Sequence, residues 1–146
     1  MKFLLIPDTM KKMEPKKHLV MIIEDEVILL TAIEKKLRNI GFETVSFTKA
    51  TDALRYFTDG GTRPDAIWLD YYLEDDIDGI AFMQKLNEHE ELSSIPVVVV
   101  SNSASQEKVN AMVALGVRKY LLKAENRLED IATTIHEVLT PQNGQQ

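Results

Sequence analysis

The sequence predicts an α/β protein: a doubly wound, five-stranded parallel sheet with helices on both faces. Three observations predict it. Short apolar runs of strand length alternate with segments whose apolar residues recur at helical spacing, five of each in turn. The fourth run, Val97-Val98-Val99-Val100, is β-branched throughout, as a strand buried on both faces requires. Polar side chains then follow the apolar runs at once: Glu24, Asp25, Asp70, Ser101 and Lys123. Open parallel sheets do their chemistry at that place, outside the carboxyl ends of the strands.

The elements follow in order. Residues 18–23 read as the first strand, and Glu24-Asp25-Glu26 comes directly after it. Val27, Leu30, Ile33, Leu37 and Ile40 recur at helical spacing, and Gly41 ends the pattern as a helix-terminating glycine does. The acidic triplet therefore sits at a strand-to-helix turn, where the helix dipole alone also favours carboxylates. Residues 44–47 read as the second strand, and residues 49–58 as a helix with Ala50, Ala53, Leu54 and Phe57 on one face. After a loop at Gly60-Gly61, the third strand runs through Ala66-Ile67-Trp68-Leu69 and ends in Asp70. An acidic loop, residues 71–78, leads to a helix at 79–88 with Ile80, Met83 and Leu86 facing in. Residues 95–100 form the fourth strand, where Pro96 is tolerated near the start. Ser105 is placed to cap a helix reaching Leu115, with Val109, Met112 and Val113 inward and Gly116 at its end. Residues 119–122 are the fifth strand. The last helix, 126–139, carries Leu128, Ile131, Ile135 and Val138 on one stripe and stops at Thr140-Pro141.

The totals bound the function. The 146 residues suit one domain, here residues 18–140, between a leader (1–17) expected to be flexible and a polar tail (141–146). The net charge of -6 disfavours a direct nucleic-acid binder, which needs a basic face. The absence of Cys excludes disulfides and thiolate metal sites. No apolar run reaches membrane-span length, and the run after Lys2 is too short for a signal-peptide core. A cytoplasmic protein without a membrane partner is expected.

With the sheet in flavodoxin-like order 2-1-3-4-5, the residues past strands one, three, four and five converge on one crevice. Clustered carboxylates repel unless a cation or proton intervenes. A few oxygen ligands with room for water and phosphate suit Mg²⁺. A hydroxyl from Ser101 and an ammonium from Lys123 suit phosphoryl oxygens. No His follows a strand end, so a positioned base for water is missing. Glu74, Asp76, Asp78 and Gly79 fall at calcium-loop offsets, but the twelfth position is Lys85 where a bidentate Glu is needed. The first turn has no Gly-x-Gly, which disfavours a dinucleotide-binding domain.

In these motifs, in order and register from His18 to Leu139, the chain resembles the receiver domain of two-component response regulators. The matching pieces are Ile-Ile-Glu-Asp-Glu, Trp-Leu-Asp, Val-Val-Val-Ser, Gly116-Val117 and Tyr-Leu-Leu-Lys. The resemblance implies that Asp70 accepts a phosphoryl group from a phosphohistidine. It implies that Glu24, Asp25, Asp70 and the main-chain carbonyl of Tyr72 hold Mg²⁺, or Mn²⁺. Ser101 matches the hydroxyl that moves to the phosphoryl oxygen, Lys123 the lysine that pairs with it, and Tyr120 the switch aromatic. Tyr72 and Ser103 take modulating positions. The switching face is the fourth helix, fifth strand and fifth helix, about residues 105–139, through which a homodimer is also expected. The implied partner is a histidine kinase or histidine phosphotransfer protein, and the implied role is a stand-alone phosphoacceptor rather than an ordinary enzyme.

Three departures stand out. The family has Pro after the lysine, in a cis bond; here Ala124 follows, and a cis bond to Ala costs about 2.5–4 kcal/mol. Either a trans, reshaped loop or a strained one is expected. The loop after Asp70 is unusually acidic, with its Asp78-Gly79 pair one residue late. Tyr72 is bulky where the family has a small or polar residue. Two alternatives remain: a pseudo-receiver that binds protein partners without phosphate, and a Mg-dependent phosphatase of similar fold.

Overall fold

The structure is a computed structural model that describes residues 17–140. The expected leader (except Lys17) and the tail at 141–146 lie outside the described residues. Five strands, β1 (Leu19–Ile23), β2 (Glu43–Phe47), β3 (Ala66–Asp70), β4 (Val97–Ser101) and β5 (Lys119–Leu122), pair in parallel in the order β2-β1-β3-β4-β5. The long helices are α1 (Val27–Asn39), α2 (Ala50–Thr58), α3 (Gly79–Leu86), α4 (Gln106–Ala114) and α5 (Leu128–Leu139). The chain is thus a flavodoxin-like fold in the order 2-1-3-4-5. None of the helices among the described residues is long and apolar enough to cross a membrane.

Alternation along the strands builds two cores. Met21, Ile23, Ile67, Leu69, Val97 and Val99 point to one face, where α2, α3 and α4 deliver Ala53, Phe82, Leu86 and Met112. Val20, Ile22, Trp68, Val98 and Val100 point to the other, under α1 and α5 with Leu30, Ile33, Ile131 and Ile135. Burial on both faces explains why β3 and β4 have no polar position before their last residue.

The structure also corrects parts of the sequence reading. A single helical turn, Glu90–Ser93, stands between α3 and β4, where no helix was expected. It seats Leu92 in the core. Val27 and Ile40, expected on the inner stripe of α1, are 62% and 50% exposed, as they lie at the two ends of the helix. Val113 is 58% exposed: its neighbour Met112 is fully buried, and one residue turns the helix by about 100°. On α3 Phe82, not singled out from the spacing, is fully buried beside the expected Met83 and Leu86, while Ile80 is only partly covered. The last helix begins at Leu128, later than expected, since Asn126 and Arg127 are extended after the 3₁₀ turn Lys123–Glu125 and Arg127 is the N-cap.

Candidate functional site

Parallel register brings the site together. Ile23 pairs with Leu69, so Glu24 and Asp70, one step further, emerge side by side. Asp70 in turn pairs with Val100, which carries Ser101 to the same end of the sheet. Lys123 follows β5 on the neighbouring strand. Glu24, Asp25 and Asp70 each offer a carboxylate oxygen within 4.8 Å of the other two. Glu24 and Asp70 are buried, at 0% and 3% exposure.

Each side chain is held. Lys123 Nζ donates to Glu24 Oε1 at 2.9 Å and to Asp70 Oδ2 at 3.3 Å. The Glu26 N–H donates to Glu24 Oε2 at 3.1 Å, and the Tyr72 N–H to Asp70 Oδ1 at 3.2 Å. Asp25 Oδ2 accepts from the Glu74 N–H at 2.9 Å, which ties the β3–α3 loop to the acidic turn. The acidic triplet is therefore not spent on capping α1, whose N-terminus has no side-chain cap.

The electrostatics follow from burial. Desolvation pushes the Glu24 carboxyl up to about 7, against the Lys123 hydrogen bond and with the Asp70 charge adding to it. Burial likewise raises Asp70, while Lys123 opposes the rise. For Lys123 itself burial works downward, but the Glu24 hydrogen bond and the Asp70 charge outweigh it, and its pKa is raised. One ammonium thus faces three carboxylates. This all-oxygen donor set with uncompensated negative charge fits a hard divalent cation.

A cleft of about 280 Å³ opens over these groups, lined by Glu24, Asp25, Asp70, Tyr72, Asn102 and Lys123 among others. Ser101 does not line it: the side chain is fully buried and its Oγ accepts from the Ser103 N–H at 3.3 Å. Tyr120 is half-buried and donates its hydroxyl to the Ser103 carbonyl at 2.7 Å. Ser103 Oγ lies 3.2 Å from the Tyr72 hydroxyl. The Lys123–Ala124 bond is trans and the loop is rebuilt as the 3₁₀ turn, so the trans outcome of the two expected holds. Asn102 and Lys108 were not singled out from the sequence, and Glu74 was considered only as a calcium-loop position. Asn102 had a usable signal in its place beside a strand end. Lys108, one turn into α4, had none.

The acidic loop is structured by its own carboxylates. Asp78 accepts from the Ala81 N–H at 2.9 Å and so caps α3. Asp75 accepts from the Thr51 N–H at 2.9 Å and caps α2 from a distance. A larger cleft, about 450 Å³, lies among Leu54, Phe57, Arg63, Lys85, His89 and Leu92. It adjoins the start of β3, away from the converging carboxylates, and chemistry rather than size marks the site.

Comparison with known proteins agrees. The family model described as response regulator receiver domain matches residues 20–136. The transcriptional regulatory protein PrrA of Mycobacterium leprae is 33% identical over 104 residues, covering 71% of this chain and 42% of that protein. The chain thus spans less than half the length of the curated relatives it matches. Among solved structures, the phosphorylated cyanobacterial phytochrome response regulator RcpA is 26% identical, with a TM-score of 0.76 over 85% of this chain and 94% of that one. The Vibrio cholerae chemotaxis protein CheY4 superimposes with a TM-score of 0.77 at 20% identity, over 85% and 100% of the two chains, and speaks to the fold alone.

Proposed function

Because this chain belongs to the response regulator receiver family, we propose that it takes a phosphoryl group from a phosphohistidine onto Asp70. An Asp70 carboxylate oxygen adds to phosphorus, the P–N bond to the imidazole breaks, and the imidazole leaves with the electron pair. The observation that carries this reading is Asp70 itself: 3% exposed, at the end of β3, with Lys123 Nζ at 3.3 Å and two further carboxylates beside it.

The other roles follow from placement. Glu24, Asp25, Asp70 and the Tyr72 main-chain carbonyl would hold Mg²⁺ or Mn²⁺. Bound there, the ion supplies neutralisation of phosphoryl oxygens. Lys123 already touches Asp70, and it pairs with the phosphoryl group once formed. Ser101 must leave its bond with the Ser103 N–H to reach that group. Tyr120, held by the Ser103 carbonyl, then loses its present anchor geometry, and the surface of α4, β5 and α5 changes. Tyr72 lies over the cleft and shields the acyl phosphate from water. The partner is a histidine kinase or phosphotransfer protein, and a homodimer through α4, β5 and α5 is one route of output.

The test is intact mass after incubation with acetyl phosphate and Mg²⁺. The expected result is one added phosphoryl group in the parent, none in Asp70→Asn and none with EDTA. No gain, together with no binding of a beryllium fluoride phosphoryl mimic, refutes the reading and leaves a module that binds partners without phosphate.

A further inference from the structure

The β4–α4 loop carries a set of contacts that the phosphoacceptor reading uses only in part. Ser103 engages three of its polar atoms with three different elements. Its N–H donates to Ser101 Oγ, its carbonyl accepts from Tyr120, and its Oγ meets the Tyr72 hydroxyl at 3.2 Å. A fourth group completes the set. Lys108 Nζ donates to Ser103 Oγ at 3.3 Å while lying 4.6 Å from the centre of the Tyr72 ring and 5.7 Å from that of Tyr71. Those distances are within the range of a cation–π contact.

Lys108 has no carboxylate partner within ion-pair distance among the described residues, although the chain is acidic. Its ammonium is committed instead to a hydroxyl and two phenol faces. Tyr72 needs such a tether. It is 43% exposed, and its ring is otherwise held by the tilted contact with Tyr71, 4.8 Å between centres. The backbone of α4 places Lys108 securely: its N–H donates to Ser105 Oγ at 3.2 Å, in the capped first turn. One end of the tether is thus a rigid helix and the other a loop side chain above Asp70.

We propose that Lys108 is a positioning residue that clamps Tyr72 to Ser103 and so holds the phenol over the phosphoryl site. This rests on the phosphoacceptor reading and adds a control to it. Loss of the group proceeds when water adds to phosphorus and the P–O bond to Asp70 breaks. The carboxylate leaves with the electron pair, inorganic phosphate forms, and a water proton passes to solvent or phosphate. Clamped, the ring blocks the approach of that water; released, it swings into solvent. Lys108 makes no hydrogen bond or ion pair to Glu24, Asp25, Asp70 or Lys123, so it reaches the site through Tyr72 and the Ser103 hydroxyl.

The experiment compares the parent, Lys108→Met, Lys108→Arg, Tyr72→Ala and the Lys108→Met/Tyr72→Ala double variant. Each is phosphorylated with acetyl phosphate and Mg²⁺, and the decay of the added mass is followed. Lys108→Met keeps the length of the side chain but not its charge, and is expected to speed decay about threefold to tenfold. Lys108→Arg, which keeps cation–π stacking and a donor, is expected to stay within about twofold of the parent. The double variant is expected to decay no faster than Tyr72→Ala, since a clamp with nothing to hold has no effect. Unchanged decay in Lys108→Met, or full additivity in the double variant, overturns the proposal. Hydrogen exchange across residues 71–78 provides a readout that needs no phosphate. Faster exchange in Lys108→Met, restored in Lys108→Arg, supports the clamp, and equal exchange in all three overturns it. A parent that takes up no phosphate and binds no beryllium fluoride refutes the phosphoacceptor reading alone, and the exchange result still decides the clamp.

Discussion

Replacing Lys123 by Met tests the electrostatics of the site most directly. The side chain keeps its length, but two ion pairs disappear, at 2.9 Å to Glu24 and 3.3 Å to Asp70. Both carboxylates have almost no solvent to fall back on, with side-chain exposures of 1% and 4%. Stripping one partner from a buried pair costs about 3–5 kcal/mol when the remaining charge stays ionised. A carboxyl that can take up a proton escapes part of that cost, so the loss depends on pH. Lys123 is charged in folded and unfolded chains alike between pH 5 and 8, since its folded pKa is raised above an already high ordinary value, and it adds no slope there. Glu24 titrates near 7 when folded and at 4.5 ordinarily. Between those values the folded chain holds the extra proton, so the stability of the metal-free protein falls as pH rises from about 4.5 to about 7. Without Lys123 the folded pKa values of Glu24 and Asp70 climb further and the fall steepens. The expected loss in EDTA is therefore about 3 kcal/mol at pH 8, shrinking to about 1 kcal/mol at pH 5. With a urea slope of about 2 kcal/mol per molar, the midpoint at pH 8 drops by about 1.5 M. The single tryptophan, Trp68, is 2% exposed and reports unfolding by its fluorescence. A loss that is the same at pH 5 and pH 8 refutes the argument, because it assigns the cost to packing instead of charge.

Other outcomes follow from neighbouring features. A Cβ on Gly79 would sit 3.1 Å from Tyr71 Cα and 3.2 Å from the Asp70 carbonyl, so Gly79→Ala must push the backbone that carries Asp70; a loss of about 1–2 kcal/mol in urea unfolding and slower uptake of phosphate from acetyl phosphate are expected. Phe82→Ala empties a fully buried position on α3 and is expected to cost about 3–5 kcal/mol, against under about 2 kcal/mol for the partly covered Ile80→Ala, both read by urea unfolding. Burial works against the Asp75 carboxylate, but the Thr51 and Asp76 N–H donors and the Thr51 hydroxyl outweigh it and hold its pKa below the ordinary value. Its contribution is present above that ordinary value and is lost as pH falls through the folded one. Asp75→Ala is therefore expected to cost about 1 kcal/mol at pH 7, as loss of a helix cap does, and progressively less as pH falls below the ordinary carboxylate range, measured by thermal unfolding.

Much of this molecule was legible in the chain because the relevant signals are local. Apolar alternation in Val20 to Ile23 and Ile67 to Leu69, helical spacing in Leu30, Ile33 and Leu37, and the glycines at 41 and 116 with φ of +103° and +95° each act within a few residues. They determine strand, helix and turn with no knowledge of the rest, and the alternation of five strands with five helices then admits few topologies. The positions of Glu24, Asp25, Asp70 and Lys123 followed, since a side chain placed just past a parallel strand has one end of the sheet to occupy. Tertiary structure alone decided what those side chains do to one another. Lys123 and Glu24 are 99 residues apart, and the burial that raises Glu24 to about 7 comes from elements remote in sequence. The same is true of Phe82 taking the core position that Ile80 was expected to hold, of the turn that seats Leu92, and of Ser101 turning away from the cleft. The contact of Lys108 with Tyr72 joins a helix to a loop across a gap that no periodicity encodes. Local propensity is written in neighbouring residues; long-range packing and the desolvation it brings exist only once the sheet has closed around them.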